Sequence, residues 1–248
     1  MNQRQRDILL KVVKVYIETA EPVGSKHLLV MEKMGFSSAT VRSEMAELEK
    51  KKLLAKLHTS GGRVPTAKGL RAYLDMAIDP KSLQVKSVPY AMYFGSRSDA
   101  VLYRVVRILA DKTDAVAFFN LPDGKFYYQG LANLLAKTDI SNSQLITWIK
   151  MLENGGKLIE FLDGLDLKDQ IYVGLDRENK IPELKNAALV AVKYELLPGF
   201  SGYLGVLGGL QMGYLRNIFL LKKIMEDLGL QRYVVNLPAE EVYLLEQE

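Results

Sequence analysis

The chain has 248 residues, of which 48% are hydrophobic, so it is long enough to bury the cores of two domains. It contains no cysteine and only two histidines, His27 and His58, which excludes disulfides and thiolate metal sites and argues against structural zinc. The net charge of +4 is uneven, because residues 1–75 carry 14 basic and 8 acidic side chains while the remainder carries a net −2. A basic unit joined to a slightly acidic one indicates that one domain contacts nucleic acid.

The sequence has no pattern of a membrane segment or a secretion signal. Its longest apolar runs are far shorter than the ~18 residues that indicate a membrane span. Residues 1–7 are polar and pass directly into a helical pattern, without the apolar run and cleavage site of a signal peptide. We therefore expect a cytoplasmic protein with no membrane partner.

The first part of the chain has the pattern of four helices and a hairpin. Apolar residues recur at helical spacing, Pro22 breaks the first helix, and serine and threonine residues precede the later helices as candidate N-caps. The predicted elements, in chain order, are a helix over 3–19, a helix over 25–34, a helix from Ser37–Ser38 to about Lys52, a strand over 53–57, a turn over 58–63, a strand at Val64 and a helix capped by Thr66. This order predicts a winged helix-turn-helix over residues 1–77.

The second part mixes helices with strands. Residues 78–96, which include Pro80 and Pro89, have the composition of a linker. Residues 97–248 then alternate between apolar strands and amphipathic helices, which predicts an α+β domain around a central sheet. The predicted helices cover 98–112, 141–154 and 212–228, and the predicted strands cover 115–119, 126–130, 170–174, 188–195 and 203–207.

The third helix is the candidate recognition helix. At about 100° per residue, Val41, Met45 and Leu48 share an inward face, and mostly small residues lie opposite them. Small outward residues let a helix enter a major groove, although the same pattern fits an ordinary surface helix. The candidate DNA contacts on or beside this helix are Ser37, Ser38, Thr40, Arg42, Ser43 and Lys50, the last of them to phosphate.

The glycine-rich turn after this helix is the candidate wing. Its residues His58, Thr59, Ser60 and Arg63 offer hydrogen-bond donors with little bulk at the tip, which suits the DNA backbone or the minor groove. The alternatives are a solvated turn residue for His58 and a surface ion pair for Arg63. The position of this turn, directly after the third helix, favours the wing.

The sequence offers no pattern of catalysis or of cofactor binding. Neither histidine belongs to a catalytic triad or a metal motif, so we expect a protein that is not an enzyme and takes no cofactor or metal. The glycine-rich stretch over 199–213 matches neither a phosphate-binding loop nor a dinucleotide fingerprint, and we interpret its glycines as tight turns beside a buried strand.

Three segments resemble the winged-helix part of the HrcA family, the bacterial heat-inducible transcription repressors. They are Glu21-Pro-Val-Gly-Ser25, Ser37-Ser-Ala-Thr-Val-Arg-Ser-Glu-Met-Ala-Glu-Leu48 and His58-Thr-Ser-Gly-Gly-Arg-Val-Pro-Thr66. The similarity resumes at 126–135 and 176–228, where the second domain resembles that family's GAF-like domain. The resemblance implies a nucleoid-associated repressor of chaperone genes that binds an inverted-repeat operator as a homodimer and interacts with the chaperonin.

The chain departs from that family in one respect, and two alternative functions are open. Family members carry a dimerisation domain inserted in the GAF-like part, whereas only residues 83–113 precede the later similarity here, so we expect pairing through the helices at 98–112 and 212–228. One alternative is a winged-helix repressor of another regulon, controlled by a small-molecule effector in the GAF-like domain. The other is a nucleic-acid-processing enzyme, against which the missing catalytic pattern counts.

Overall fold

The computed structural model divides the chain into two compact units, Met1–Ile78 and Asp79–Glu248. The residues that the structure describes are 1–32, 35–57, 62–79, 86–87, 98–136, 140–165, 167, 170–197, 200–228 and 231–232.

The described residues of the first unit form four helices and one two-stranded hairpin, in the predicted order. The helices are α1 (Gln3–Thr19), α2 (Ser25–Glu32), α3 (Ser38–Lys50) and α4 (Ala67–Ala77), and the strands are β1 (Leu54–Lys56) and β2 (Arg63–Pro65). The strands pair antiparallel, with Leu54 opposite Pro65 and Lys56 opposite Arg63.

The predicted caps begin α3 and α4. The Ser37 side chain accepts a hydrogen bond from Thr40 N at 3.1 Å, and the Thr66 side chain accepts one from Gly69 N at 3.0 Å. Such side chains satisfy amide groups that have no partner within the helix. At its other end α3 stops at Lys50, two residues before the predicted end, because Lys52 adopts a left-handed backbone conformation with φ of 59°.

One apolar core holds the elements of this unit together. Each helix contributes one apolar face, as the helical spacing predicts, and the hairpin contributes the residues at its base. Its buried members include Ile8, Leu9, Val12, Val13, Val23, Leu28, Val41, Met45, Leu48, Leu53, Leu54, Leu70 and Leu74. The inward face of α3 is therefore the one expected from its sequence.

The second unit is built on a five-stranded antiparallel sheet with the strand order β5-β4-β8-β7-β6. Its strands are β4 (Val116–Asn120), β5 (Phe126–Gln129), β6 (Ile171–Leu175), β7 (Ala187–Leu197) and β8 (Phe200–Gly209), and its helices are α5 (Ser98–Thr113), α6 (Leu131–Leu135), α7 (Asn142–Glu153), α8 (Gly156–Asp163) and α9 (Tyr214–Asp227). Short 3₁₀ turns cover Asp176–Asn179 and Pro182–Leu184. Helices combined with an antiparallel sheet agree with the expected mixed α and β class.

Both faces of this sheet are covered. One face packs Phe118, Leu189 and Leu207 against Trp148 of α7 and Leu158 of α8. On the other side, α5 and α9 contact each other and the central strands β4, β7 and β8. Because successive side chains of a strand point to opposite faces, both sets of central-strand residues are apolar and buried.

Two features of the second unit differ from the sequence-based expectations. Within the predicted linker over 78–96, Lys86–Ser87 forms a strand, β3, that pairs antiparallel with β9 (Gln231–Arg232). Of the glycines expected in tight turns over 199–213, Gly202, Gly205, Gly208 and Gly209 lie instead inside β8, while Gly213 directly precedes α9. A Cβ at Gly205 would come within 2.5 Å of the Phe118 ring and 2.8 Å of the Val190 carbonyl, so these glycines leave room for large neighbours.

Candidate nucleic-acid interface

The exposed side of α3 carries the largest group of candidate DNA contacts. Val41, Met45 and Leu48 are fully buried on the inner side of this helix. Ala39, Ser43 and Lys50 are exposed on the outer side, as the helical spacing predicts, and Arg42 at the flank of that side is exposed as well. This outer face is narrow and bears no large apolar side chain, so a groove can approach the backbone of the helix.

Hydroxyl groups at the start of α3 hold one another in place. Ser37 Oγ accepts from Thr40 N at 3.1 Å and lies 2.9 Å from Thr40 Oγ1. Ser38 Oγ lies 3.1 Å from Ser25 Oγ at the beginning of α2. Ser37 is exposed and Ser38 and Thr40 are partly buried, so Ser37 is the most accessible of the three. The Ser25 partner was missed by the sequence analysis, because a contact between two helices leaves no local signal.

The basic candidate at the end of α3 is part of an exposed ion pair. Lys50 Nζ lies 2.7 Å from Glu47 Oε1, one turn earlier on the same helix, and the Lys50 side chain is 72% exposed. This hydrogen bond, with the attraction of opposite charges, raises the pKa of Lys50 and lowers the pKa of Glu47. Lys50 is therefore fully charged at neutral pH. Because exposed pairs contribute little stability, its ammonium can exchange Glu47 for a phosphate.

Further lysines that the sequence analysis did not single out extend this basic region. Lys51, Lys52 and Lys56 are exposed between the end of α3 and the end of β1. Lys51 Nζ donates to Gln5 Oε1 at 2.6 Å, and Lys56 Nζ lies 3.9 Å from Glu49 Oε2. Four basic side chains of the first unit, Lys50, Lys51, Lys52 and Lys56, thus lie where α3 meets the hairpin.

The structure describes the base of the hairpin but not its tip. His58, Thr59 and Ser60 lie outside the described residues, so their predicted roles stay predictions. The base is described from Gly62 onward. A Cβ at Gly62 would come within 2.5 Å of the Pro22 carbonyl oxygen, which means that the returning strand runs close against the loop before α2.

Arg63 is not on the open surface where a phosphate contact was expected. Its side chain is only 10% exposed, and its Nε donates to Glu49 Oε2 of α3 at 2.9 Å. Its backbone N and O both pair with Val23, at 2.9 and 2.8 Å. Arg63 is therefore a buried link between β2, α3 and the loop before α2. Its ion pair with Glu49 agrees better with the alternative of a surface ion pair than with a phosphate contact, but Arg63 is more deeply buried than a surface residue.

A second polar link joins α1 to α3. Gln5 is 6% exposed, and its Nε2 donates to Glu44 Oε2 at 2.9 Å while its Oε1 accepts from Lys51. Arg4 Nη1 lies 3.5 Å from the same Glu44 carboxylate, and its guanidinium stacks 5.2 Å from the centre of the Phe36 ring. No sequence signal distinguishes this buried glutamine from an exposed one, because its partners are far along the chain.

The described residues offer neither a metal centre nor a membrane span. Among them, no group of three or more His, Asp or Glu side chains is placed to hold a metal ion. Likewise, no helix in the described part of the chain is long and apolar enough to cross a membrane.

Comparison with known proteins identifies the family. Residues 25–218 match the family model described as HrcA protein C terminal domain. Proteins named heat-inducible transcription repressor HrcA match at 40% identity over 125 residues in Clavibacter michiganensis subsp. michiganensis, 43% over 124 in Rhodococcus jostii and 42% over 130 in Gloeobacter violaceus. Each match covers 49–51% of this chain and 36–37% of the relative, so the chain spans well under two thirds of their length.

A solved structure shares the fold. The crystal structure of a hypothetical protein at 2.2 Å resolution superposes with a TM-score of 0.74 and 21% sequence identity, covering 92% of this chain and 96% of that one. The class defined by the family model and the named relatives is that of transcription repressors. The chain belongs to the HrcA family.

Proposed function

We propose that this protein is a sequence-specific DNA-binding repressor of heat-shock genes, and that its first unit is a winged helix-turn-helix. In this assignment α2 and α3 form the helix-turn-helix, α3 is the recognition helix and the β1–β2 hairpin is the wing. The observation that carries the proposal is the outer face of α3, where Arg42, Ser43 and Lys50 are exposed on a helix whose opposite face is fully buried. A recognition helix in a major groove needs one face buried in the protein and an opposite face open to the DNA.

The contacts on the DNA divide into base edges and phosphates. Arg42, Ser43 and Thr40 lie in the first half of α3, the part of a recognition helix that meets base edges in a helix-turn-helix. Ser37 and Ser38 lie at its N-terminus, where backbone amides and hydroxyls suit a phosphate. Lys50 at the other end neutralises a second phosphate, and His58, Thr59 and Ser60 contact the backbone or the minor groove from the wing.

A homodimer would present two such helices to an inverted repeat. The described part of the second unit, which we assign as GAF-like, offers a candidate pairing surface on α5. Tyr103 and Ile108 are large apolar side chains that are 49% and 43% exposed on this helix, while Leu102, Val106 and Leu109 of the same helix are buried. Pairing through α5, with the neighbouring α9, supplies the symmetry without an inserted dimerisation domain. Control by the chaperonin is the regulation that family membership suggests.

Selection of bound fragments from the host genome tests the proposal. The purified full chain is mixed with sheared genomic DNA, and recovered fragments are sequenced and footprinted. We expect an inverted repeat upstream of chaperone genes, with its two halves separated by one or a few helical turns. Arg42→Ala should lose the protection. Recovery of fragments without a shared sequence would contradict the proposal, and recovery of a shared sequence at other promoters would point to a different regulon.

A further inference from the structure

The contact between Glu49 and Arg63 joins the recognition helix to the wing. Glu49 lies in the last turn of α3, next to Lys50, and Arg63 is the first residue of β2, the strand that returns from the wing tip. The bond from Arg63 Nε to Glu49 Oε2 is 2.9 Å long, and the Glu49 side chain is 32% exposed against 10% for Arg63. The same carboxylate oxygen lies 3.9 Å from Nζ of Lys56, which is directly opposite Arg63 on β1. One carboxylate on α3 therefore faces both strands of the hairpin.

The burial of Arg63 makes this contact costly to break. A guanidinium taken out of water needs a compensating carboxylate, and removing one member of such a pair leaves the other charge without compensation. The Arg63 backbone has no freedom to follow its side chain outward, because N and O are both bonded to Val23. Arg63 thus fixes the orientation of the hairpin relative to α3 through two sets of contacts. Its side chain is bonded to Glu49, and its backbone is bonded to Val23.

We propose that Glu49 and Arg63 are positioning residues that hold the wing and the recognition helix in the geometry needed to contact DNA together. This inference rests on the proposed DNA-binding function and replaces the direct phosphate contact expected of Arg63. Preorganisation of this kind raises affinity because the ordering of the interface is completed before the DNA is bound. Neither side chain touches the DNA in this account, and Glu49 in particular carries the wrong charge to do so.

The negative charge of Glu49 provides a test, because an electrostatic role and a positioning role predict opposite effects of removing it. If Glu49 only lowered the positive potential near the DNA, Glu49→Gln would remove a repulsive charge and tighten binding. If Glu49 positions the wing, the same change loosens Arg63 and weakens binding, by about ten-fold for the loss of one charge-assisted hydrogen bond. The matched control is Glu47→Gln, which removes the same charge from the same helix but breaks the pair with Lys50 and leaves the Glu49–Arg63 contact intact. The control should bind as tightly as the parent chain or more tightly.

The experiment measures the affinity of the full chain for a duplex recovered in the genomic selection, at a temperature where circular dichroism shows every variant to be folded. We expect Glu49→Gln and Arg63→Gln each to weaken binding, and the double variant to be no weaker than either single one, because both changes break one link. The salt dependence separates the roles further. If Arg63 contacted a phosphate, removing its charge would lower the slope of log affinity against log salt concentration by about 0.9. Glu49→Gln should leave this slope unchanged.

Arg63→Lys provides a second variant that keeps the charge and disturbs folding least. A lysine would preserve a phosphate contact, but it carries a methylene group where Arg63 Nε donates to Glu49. Positioning therefore predicts weaker binding for Arg63→Lys, with the salt slope unchanged. The proposal is overturned if Glu49→Gln binds as tightly as Glu47→Gln, or if Arg63→Lys binds as tightly as the parent chain. Failure of the parent chain to bind any selected duplex would instead refute the DNA-binding function itself.

Discussion

Val23 and Arg63 exchange a pair of backbone hydrogen bonds, with Val23 N donating to Arg63 O at 2.8 Å and Arg63 N donating to Val23 O at 2.9 Å. This bridge places the loop before α2 beside the returning strand of the hairpin. The hairpin is therefore joined to the loop before α2 through the backbone and to α3 through the Glu49 side chain.

Gly62 should be needed for this close approach. A Cβ at Gly62 would come within 2.5 Å of Pro22 O and 2.7 Å of the Val23 carbonyl carbon, and neither backbone atom can move without breaking the bridge. We expect Gly62→Ala to lower the free energy of unfolding by about 1–3 kcal/mol, as other overpacking substitutions do. Urea unfolding followed by circular dichroism measures the change. Gly35→Ala is the control, because nothing lies within 4 Å of its Cβ position, and equal stabilities for the two variants would contradict the packing argument.

Lys50 should contribute one phosphate contact. We expect Lys50→Ala to lower the slope of log affinity against log salt concentration by about 0.9, because one fewer counterion is released from the DNA. Titrations of a labelled duplex at several salt concentrations measure the slope. Lys14→Ala is the control, because Lys14 lies on α1 with its Nζ 3.2 Å from Glu32, and its slope should match that of the parent chain. A slope for Lys50→Ala that equals this control would exclude the contact.

Ser37 should serve both as a helix cap and as part of the DNA interface. Ser37→Asp keeps a strong capping oxygen and adds a favourable charge at the helix N-terminus, so the stability of the first unit should be retained. The same carboxylate would repel a phosphate, and we expect affinity for the duplex to fall about ten-fold or more.

The matched control for Ser37→Asp is Ser141→Asp. Ser141 caps α7 in the second unit, where its side chain accepts from Gln144 N at 3.4 Å. It receives the same charge at the same kind of position, and its affinity for DNA should not change. If both variants bound DNA equally well, Ser37 would have no place in the interface.

The positions of the helix caps could be predicted from the sequence, but the tertiary polar links could not. Ser37, Thr66 and Ser141 each precede an apolar helical pattern, and each caps the expected helix because capping depends on residues within one turn. The burial of Arg63 depends on Glu49, fourteen residues away, and the burial of Gln5 on residues still farther along the chain. Periodicity carries no information about such pairs.

The second unit shows the same limit. Glycine disfavours helices, yet α8 begins at Gly156, and the Phe126 ring packs where a Cβ of Gly155 would lie. Ser141 and Gln144 have the spacing of a reciprocal capping box. The Gln144 side chain instead donates to the Lys185 carbonyl, a partner that only the folded chain brings near.

The exposed apolar residues of α5 should mark the dimer surface. We expect Ile108→Glu to shift the full chain from dimer to monomer in sedimentation equilibrium, because an apolar contact would then bury a charge. Ile146→Glu on α7 is the control, because Ile146 is an isoleucine of similar exposure, 53% against 43% for Ile108, on a different helix. A dimer that survives Ile108→Glu, or that Ile146→Glu disrupts equally, would place the pairing surface elsewhere.

The buried lysine of α9 should make stability depend on pH. Lys222 is 1% exposed, and burial lowers its pKa below the ordinary value. Between the lowered pKa of the folded chain and the ordinary pKa of the unfolded chain, the unfolded state binds more protons, so stability contributed by this group rises with pH. As the pH rises toward the ordinary lysine pKa of about 10.4, we expect the free energy of unfolding to increase more in the parent chain than in Lys222→Met, as urea titrations would show. An identical pH dependence in both chains would contradict this expectation.

Sequence-specific repression by this protein requires that the full chain bind an inverted repeat recovered from its own genome at moderate salt. Quantitative footprinting compares the intact repeat with versions in which one half is scrambled, each with the parent chain and with Arg42→Ala. The account predicts protection of both halves of the intact repeat by the parent chain, a sharp loss of affinity when either half is scrambled, and no protection by Arg42→Ala. Protection that ignores the sequence of the halves, or that Arg42→Ala leaves intact, would contradict it.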